Sequence, residues 1–359
     1  MLFSRLQKLD WALVGGFMVL AAVSLLTLAS YDRTFFLRQL IWYGVAFVII
    51  IFGSRLPWSW LLRWSAFRYG AYWAAVFFLV ISNLQSTLVR GTKSWLSIGG
   101  FQFEPAEFAK FALVIFLAGF FTKRYVAVWR TKNLFISLCY TMIPAFLIAV
   151  HPDLGSTIIV MSIWLGFMLM SGVNKKRFLI GLAVGVGCLI LLWTSFLKPY
   201  QKDRLTGFLF PERDPLGINY NVIQSKIAIG SAGLWGKGFG QGTQIQFHFL
   251  PEAHTDFIFA AFTEEWGIAA DAILLLTFFF IFVQLTNIGL RAGSNEEKFV
   301  VLGSALILFI QFLINVGSNL GLVPVTGITL PFVSYGGSSL LTIATLISII
   351  QHIKIESSG

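Results

Sequence analysis

The sequence predicts an all-α, polytopic integral membrane protein, and three observations lead there. Only 12% of the 359 side chains are charged while 57% are hydrophobic, whereas soluble domains carry roughly 25% charged residues. Mean hydropathy is +0.79. Apolar runs of about 20 residues, the length that crosses a ~30 Å hydrocarbon core as a helix, recur along the chain. The same composition excludes disordered, collagenous and disulfide-scaffold classes, which need low hydrophobicity, glycine periodicity or abundant cysteine.

Ten such runs fall at residues 11–30, 36–53, 66–84, 105–122, 134–150, 154–172, 177–197, 256–288, 298–321 and 331–352. The first follows Arg5 and Lys8, but it is long for a signal-peptide core and reads as an uncleaved first helix. One long segment, 198–255, separates spans seven and eight; an ordered loop of that length is more often functional than idle. Within it, Asn221 to Leu234 is apolar but too short to cross, and predicts a re-entrant or interfacial helix. No internal repeat, low-complexity tract or separate soluble domain interrupts the chain, so 1–359 reads as one transmembrane domain.

Basic residues set orientation, because loops rich in Lys and Arg stay cytoplasmic. With the N-terminus inside, Arg55, Arg63, Arg68, Lys123, Arg124, Lys175, Lys176 and Arg177 fall on the cytoplasmic side. The short outer segments hold only Arg33, Arg38, Arg90 and Lys93, and both termini come out cytoplasmic. The net charge of +10 follows this topology; no basic stretch with interleaved aromatics points to nucleic acid. Cys139 and Cys188 lie in apolar runs, and the four histidines show no metal-ligand spacing, so no metal residue is assigned.

Ionisable groups at membrane depth are costly unless paired or wetted, which makes each a functional candidate. Glu107 and Lys110, in FEPAEFAKFA, are three apart on one helix face and can pair. Pro105 as the first helical residue and Glu107 near the helix N-terminus are explicable by capping alone, but Lys110, a turn deeper, is not. Glu252, His254 and Asp256, in FLPEAHTDFIFA, sit at the mouth of span eight, where Thr255 or Asp256 would also serve as a simple helix cap. Glu264, Glu265 and Asp271 continue the acidic series along the same expected helix. HPDLGST places Asp153 in a tight turn that Asx chemistry explains equally well. GKGFGQGT lacks the Lys-Ser/Thr ending of a phosphate loop and reads as a compact turn, and PFVSYGGSSL reads as close packing at the start of span ten.

Four segments in this order, GTKSWLSIGGFQFEPAEFAKFA, HPDLGST, FGQGTQIQFHFLPEAHTDFIFAAFTEE and GLVPVTGITLPFVSYGGSSLL, resemble the SEDS (shape, elongation, division, sporulation) family over nearly the whole chain. Within it, GTQ before FLPE and PVTG before LPFVSYGGSS are more similar to the RodA branch than to the FtsW branch. Ala106, His151 and Ser94 depart from the serine, glutamine and arginine usual in the family. The resemblance implies a peptidoglycan glycosyltransferase that polymerises lipid II on the outer face of the bacterial cytoplasmic membrane during elongation. Its partners would be a class B penicillin-binding protein and other elongation-complex membrane proteins. The family's essential aspartate falls on Asp256 and its intramembrane pair on Glu107 and Lys110, while Arg38 and Asp153 match polar positions.

Glycosyl transfer with inversion needs one base for the acceptor hydroxyl, and Asp256 is at the right depth. A diphosphate leaves without protonation but needs cationic stabilisation. Lys110, Arg38, Lys93 and Arg204 are available cations, Asp153, His254 and Thr255 are further candidate substrate contacts, and a divalent cation such as Mg2+ would serve in the same role. A flippase or transporter of lipid-linked cell-wall precursor is the alternative, since intramembrane charges suit a polar path. Transporters often show broken paired spans, and the sequence displays none clearly.

Overall fold

The computed structural model describes residues 7–84, 95–98, 101–124, 131–151, 153–172, 174–191, 199–210, 217 and 219–357. The helices in chain order are α1 (Trp11–Tyr31), α2 (Arg33–Gly53), α3 (Trp58–Arg63), α4 (Ser65–Leu84), α5 (Pro105–Lys123), α6 (Thr131–Val150) and α7 (Leu154–Met170). Then follow α8 (Lys175–Leu191), α9 (Pro199–Leu209), α10 (Tyr220–Ser231), α11 (Thr243–Gln246), α12 (Ile258–Arg291), α13 (Asn295–Asn319) and α14 (Gly337–Ser357). Eight of these, α1, α2, α4, α5, α6, α12, α13 and α14, are long and apolar enough to cross a membrane. The sixth and seventh expected spans are the shorter apolar α7 and α8; residues 192–197 of the seventh lie outside the described residues.

At the centre stands α5, buried on nearly every side and packed by α4, α7, α13 and α14. Its Ala109, Ala112, Ala118 and Gly119 let those neighbours approach closely, the usual device where no water drives helices together. Described residues of the 198–255 loop meet the end of α1, through Gln246 and Ser30, and the end of α13, through Ser225 and Asn319; this is called here the loop end, with the far end opposite.

Several buried charges at the far end have specific partners. The guanidinium of Arg68 lies where a Cβ on Gly119 would be, and ion-pairs with Glu296 on α13. Arg68 is thus a buried structural partner rather than a free cytoplasmic charge. Asp10 caps α1 by accepting from the Leu13 amide at 2.9 Å, accepts from Gln284 Nε2 at 2.7 Å, and bonds Gln351 through its own backbone. Ser294 and Glu297 form a capping box at the start of α13.

Four local features refine the expected spans and loop. A two-stranded antiparallel hairpin, β1 (Leu96–Ile98) and β2 (Phe101–Phe103), with Leu96 opposite Phe103, precedes α5; the Gly-Gly between alternating residues was its signal. The long loop is itself helical over α9, α10 and α11. α14 begins only at Gly337, leaving 331–336 as irregular chain. Finally, α12 is broken at Gly267, whose φ of 78° and ψ of 175° are not helical.

The break explains the glycine-rich segment. Lys237 and Gly238 amides donate to the carbonyls of Glu264 and Glu265, both at 2.9 Å, while Ile268 and Ala269 amides donate to Gly233 and Leu234, both at 3.1 Å. Two carbonyls and two amides freed by the break are therefore satisfied by the incoming loop, as burial away from water requires. A Cβ on Gly267 would lie 2.5 Å from the Leu234 carbonyl oxygen, so no side chain fits there. The first half of α12 stays at the loop end: Ala260 bonds Asn319 at the end of α13, and Glu265 bonds Ser30 at the end of α1. Glu264 and Glu265 thus do not descend a transmembrane helix as the sequence suggested. Glu264 pairs with Lys237 at 2.6 Å and accepts from Thr243 Oγ1 and the Gln244 amide; Glu265 accepts from the Gly240 amide at 3.1 Å. GKGFGQGT cradles these carboxylates, not a phosphate.

Candidate active site

Asp256 ends an irregular turn immediately before α12, whose N-cap is Phe257 with no side-chain cap. The N-cap position thus falls one residue beyond Asp256, and neither Thr255 nor Asp256 occupies it. Instead, three consecutive backbone carbonyls are gripped by distant segments. His254 O accepts from the Tyr335 amide at 2.9 Å, and Thr255 O accepts from Ser334 Oγ at 2.6 Å. Asp256 O accepts from Asn315 Nδ2 at 2.9 Å and Asn319 Nδ2 at 2.8 Å. Such over-determination fixes the direction of the Asp256 side chain, which is what preorganised chemistry needs. Its Oδ2 faces Gly327 of the turn after α13, where a Cβ would sit 3.7 Å away.

Glu107 and Lys110 form a buried ion pair at 2.6 Å on α5, with Lys110 only 2% exposed. Glu104, just before that helix, joins this pair to the other motifs. Burial raises the Glu104 carboxyl well above its ordinary range, and Glu107, Asp153 and Asp256 push it further up while Lys110 opposes them. Residues of all three sequence motifs thus lie near enough to Glu104 to act on its charge, while Lys110 itself pairs with Glu107. Asp153 also caps α7, accepting from the Ser156 amide at 2.9 Å, as its turn chemistry predicts. Gly155, next to it, lets the 326–328 chain approach: a Cβ there would be 2.6 Å from Ile328 Cγ1 and 2.9 Å from Thr326 O.

The remaining candidates are placed differently. Thr255 Oγ1 donates to Glu252 Oε2 at 2.8 Å inside the turn. His254 is buried in an aromatic stack, 4.5 Å from Phe35 and 5.2 Å from Tyr31 between ring centroids. Arg38 is exposed on α2, where its charge, after Thr34 hydrogen bonds, helps hold Asp32 below the ordinary carboxylate range. It is not among the groups acting on Glu104. Lys93 lies outside the described residues, and of Arg204 only the backbone, on α9, is described. Among the described residues no group of three or more His, Cys, Asp or Glu has the arrangement of a metal cage.

The architecture and the converging motifs can be set beside known proteins. A family model described as cell cycle protein, FtsW/RodA/SpoVE, matches residues 3–359. The chain belongs to this family. Peptidoglycan glycosyltransferase MrdB of Escherichia coli K12 is 34% identical over 336 residues, covering 94% of this chain and 90% of its own. Stage V sporulation protein E of Bacillus subtilis is 34% identical over 352 residues, covering 95% and 93%. Among solved structures, a chain of a peptidoglycan synthase complex studied for its coordination of polymerization and crosslinking matches with a TM-score of 0.82 at 28% identity, over 96% of this chain and 97% of that one. The rod shape-determining protein RodA of Thermus thermophilus matches with a TM-score of 0.74 at 25% identity, over 98% of both chains. These relatives support the RodA branch of the family.

For this FtsW/RodA/SpoVE member, the two motif departures that are described have structural partners. Ala106 is buried against the core, and His151 Nε2 lies 3.3 Å from Ser82 Oγ; Ser94 lies outside the described residues. Sequence reasoning missed Glu104, Asn315, Asn319, Ser334 and Gln39. Gln39 rather than Arg38 is the α2 residue that reaches the SYGG turn, at 3.4 Å from both Ser334 O and the Gly336 amide. Asn315 and Asn319, four apart in an otherwise apolar run, were detectable as intramembrane polar residues on one face.

Proposed function

We propose that the protein is a peptidoglycan glycosyltransferase of cell elongation, polymerising lipid II with Asp256 as general base. The acceptor sugar hydroxyl attacks the donor's anomeric carbon, the bond from that carbon to the diphosphate oxygen breaks, and its electron pair leaves with the lipid diphosphate. Asp256 takes the hydroxyl proton. Lys110, held by Glu107, faces the developing diphosphate charge, with Arg38, Lys93 and Arg204 as further cations and Asp153, His254 and Thr255 along the substrate path. The observation that carries this reading is the buried Glu107–Lys110 pair together with an Asp256 whose backbone carbonyl is held by Asn315 and Asn319, both near enough to Glu104 to act on its charge. A divalent cation, Mg2+ for example, would enter with the diphosphate, held by one or two of these carboxylates, as that ion commonly is.

The distribution of Lys and Arg supports cytoplasmic termini, with the loop end facing outward in a bacterial cytoplasmic membrane. Similarity to a chain from a synthase complex that coordinates polymerization and crosslinking supports a class B penicillin-binding protein as partner, within a larger elongation complex.

Transport is the weaker reading. The break at Gly267 supplies the interrupted helix that the sequence did not reveal. Beyond Lys110, however, the buried residues of α5 from Phe111 to Phe121 are all apolar or glycine, so this central helix offers no polar path toward the far end. Purified protein in detergent, which has no second compartment, decides between the two. Wild type is expected to convert lipid II into long glycan, and Asp256→Asn to lose about 10²-fold or more of that rate. A normal rate for Asp256→Asn would sink the assignment.

A further inference from the structure

Outside the charged cluster, the long loop builds a cavity of about 90 Å³, partly open to solvent. Helices α9 and α10 form its walls and the turn after α13 its floor. Its lining combines apolar surfaces, notably Phe208 and Pro324, with Asn219, Asn221 and Lys226. Apolar walls with a few convergent polar groups are the lining that ligand pockets typically have.

Two glycines make room for the polar groups. A Cβ on Gly207 would come 2.8 Å from Asn219 Oδ1, and one on Gly321 would come 2.5 Å from Lys226 Nζ. Gly321 also has a φ of 69°, which the turn requires. The Lys226 side chain therefore lies across the end of α13, next to Ser225, whose hydroxyl donates to Asn319 O at 2.8 Å. The negative end of that helix dipole favours an ammonium there. No carboxylate pairs with Lys226 among the described residues. Asn219, by contrast, is 5% exposed and fixed in the wall.

The cavity adjoins the charged cluster. Val325 lines it, and two residues on, Gly327 faces Asp256 Oδ2; two extended residues span roughly 7 Å. A disaccharide bound at Asp256 is long enough to reach the cavity with its next sugar.

We infer that this cavity is a glycan-strand subsite that holds an N-acetylated sugar bearing a peptide carboxylate, next to the sugar at Asp256. The inference rests on the polymerase reading. Phe208 offers an apolar face to a sugar ring, the Asn221 amide complements hydroxyl and acetamido groups, and Lys226 pairs with the stem carboxylate. Through this grip the product stays bound between additions.

Direct binding to the full-length protein in detergent tests it, using N-acetylmuramyl dipeptide, which carries a carboxylate, and chitotetraose, which does not. Wild type is expected to bind the muramyl peptide saturably and more tightly than chitotetraose. Lys226→Ala should abolish that preference and Asn221→Ala should weaken both ligands, each by about fivefold, or ~1 kcal/mol. Melting temperatures equal to wild type confirm that these variants are folded, and shorter glycan products from both are the second readout. Asp256→Asn should retain the binding, so a failure of the general-base assignment and a failure of the subsite give different results. Absence of saturable binding, equal binding of the two probes by wild type, or binding indifferent to both cavity substitutions would overturn the subsite.

Discussion

The two ends of the helix bundle handle buried charge in opposite ways. At the far end, Arg68 meets Glu296, Asp10 meets backbone and amide donors from three helices, and Glu297 closes a capping box. At the loop end, Glu107, Asp153 and Asp256 all act on the buried Glu104 carboxyl, with Lys110 as the opposing charge. Balanced pairs satisfy a fold. An excess of one sign, held in place by hydrogen bonds to the backbone instead of by counter-charges, does not help stability and points to chemistry. The loop end also contains a matched region, where the glycine-rich loop clasps Glu264 and Glu265. The contrast therefore separates paired carboxylates from those proposed to be reactive, even within one end.

The sharpest way to break this comparison is to remove one cation from each end. Lys110→Met and Arg68→Met each strip a buried carboxylate of its partner, so each is expected to cost about 3–5 kcal/mol of stability. Lys110→Met should also reduce lipid II polymerisation at least ~10²-fold, whereas Arg68→Met should leave the rate per folded molecule near wild type. Equal catalytic losses would erase the distinction between the ends.

Gly267→Ala comes next. It places a side chain against the 233–236 backbone at a positive φ, and strain of about 1–3 kcal/mol is expected before any clash is counted. A lower melting temperature, with faster protease cleavage within 233–243, would show that the clasp and the break are one unit; an unchanged melting temperature would show that they are not.

Asn315→Ala tests whether the grip on the Asp256 carbonyl matters. It removes donors to Asp256 O and Ile328 O, leaving the latter without this partner, at a cost of about 1–3 kcal/mol. Polymerisation should fall with KM little changed, because the loss is in the aim of the base. An increase in KM alone would place Asn315 in substrate binding.

The smallest effect is electrostatic. The folded-state pKa of Glu104 lies above its unfolded value, so the stability it contributes is complete below the ordinary carboxylate range and is lost as pH rises through the folded pKa. Glu104→Gln fixes the neutral form and should flatten the melting temperature against pH over that window. A slope identical to wild type would mean that the carboxyl ionises normally.

Much of this was legible in the chain. Span positions followed from hydropathy, and the Glu107–Lys110 pair from its spacing, which the structure closes at 2.6 Å. Glu104 was not legible, because a glutamate before Pro105 looks like any helix entry until Asp153 and Asp256 are brought beside it. The break in α12 was hidden for a related reason. Gly267 sits in a run apolar enough to continue as helix, and what interrupts it is hydrogen bonding from a loop some thirty residues earlier.

By itself, then, the sequence determined the membrane class, the approximate spans and the motifs that carry charge, since each depends on local hydrophobicity and spacing. Only the tertiary structure decided which charges are balanced and which are concentrated. A carboxylate's ionisation depends on neighbours within a few ångströms, and at the loop end those neighbours come from segments more than a hundred residues apart.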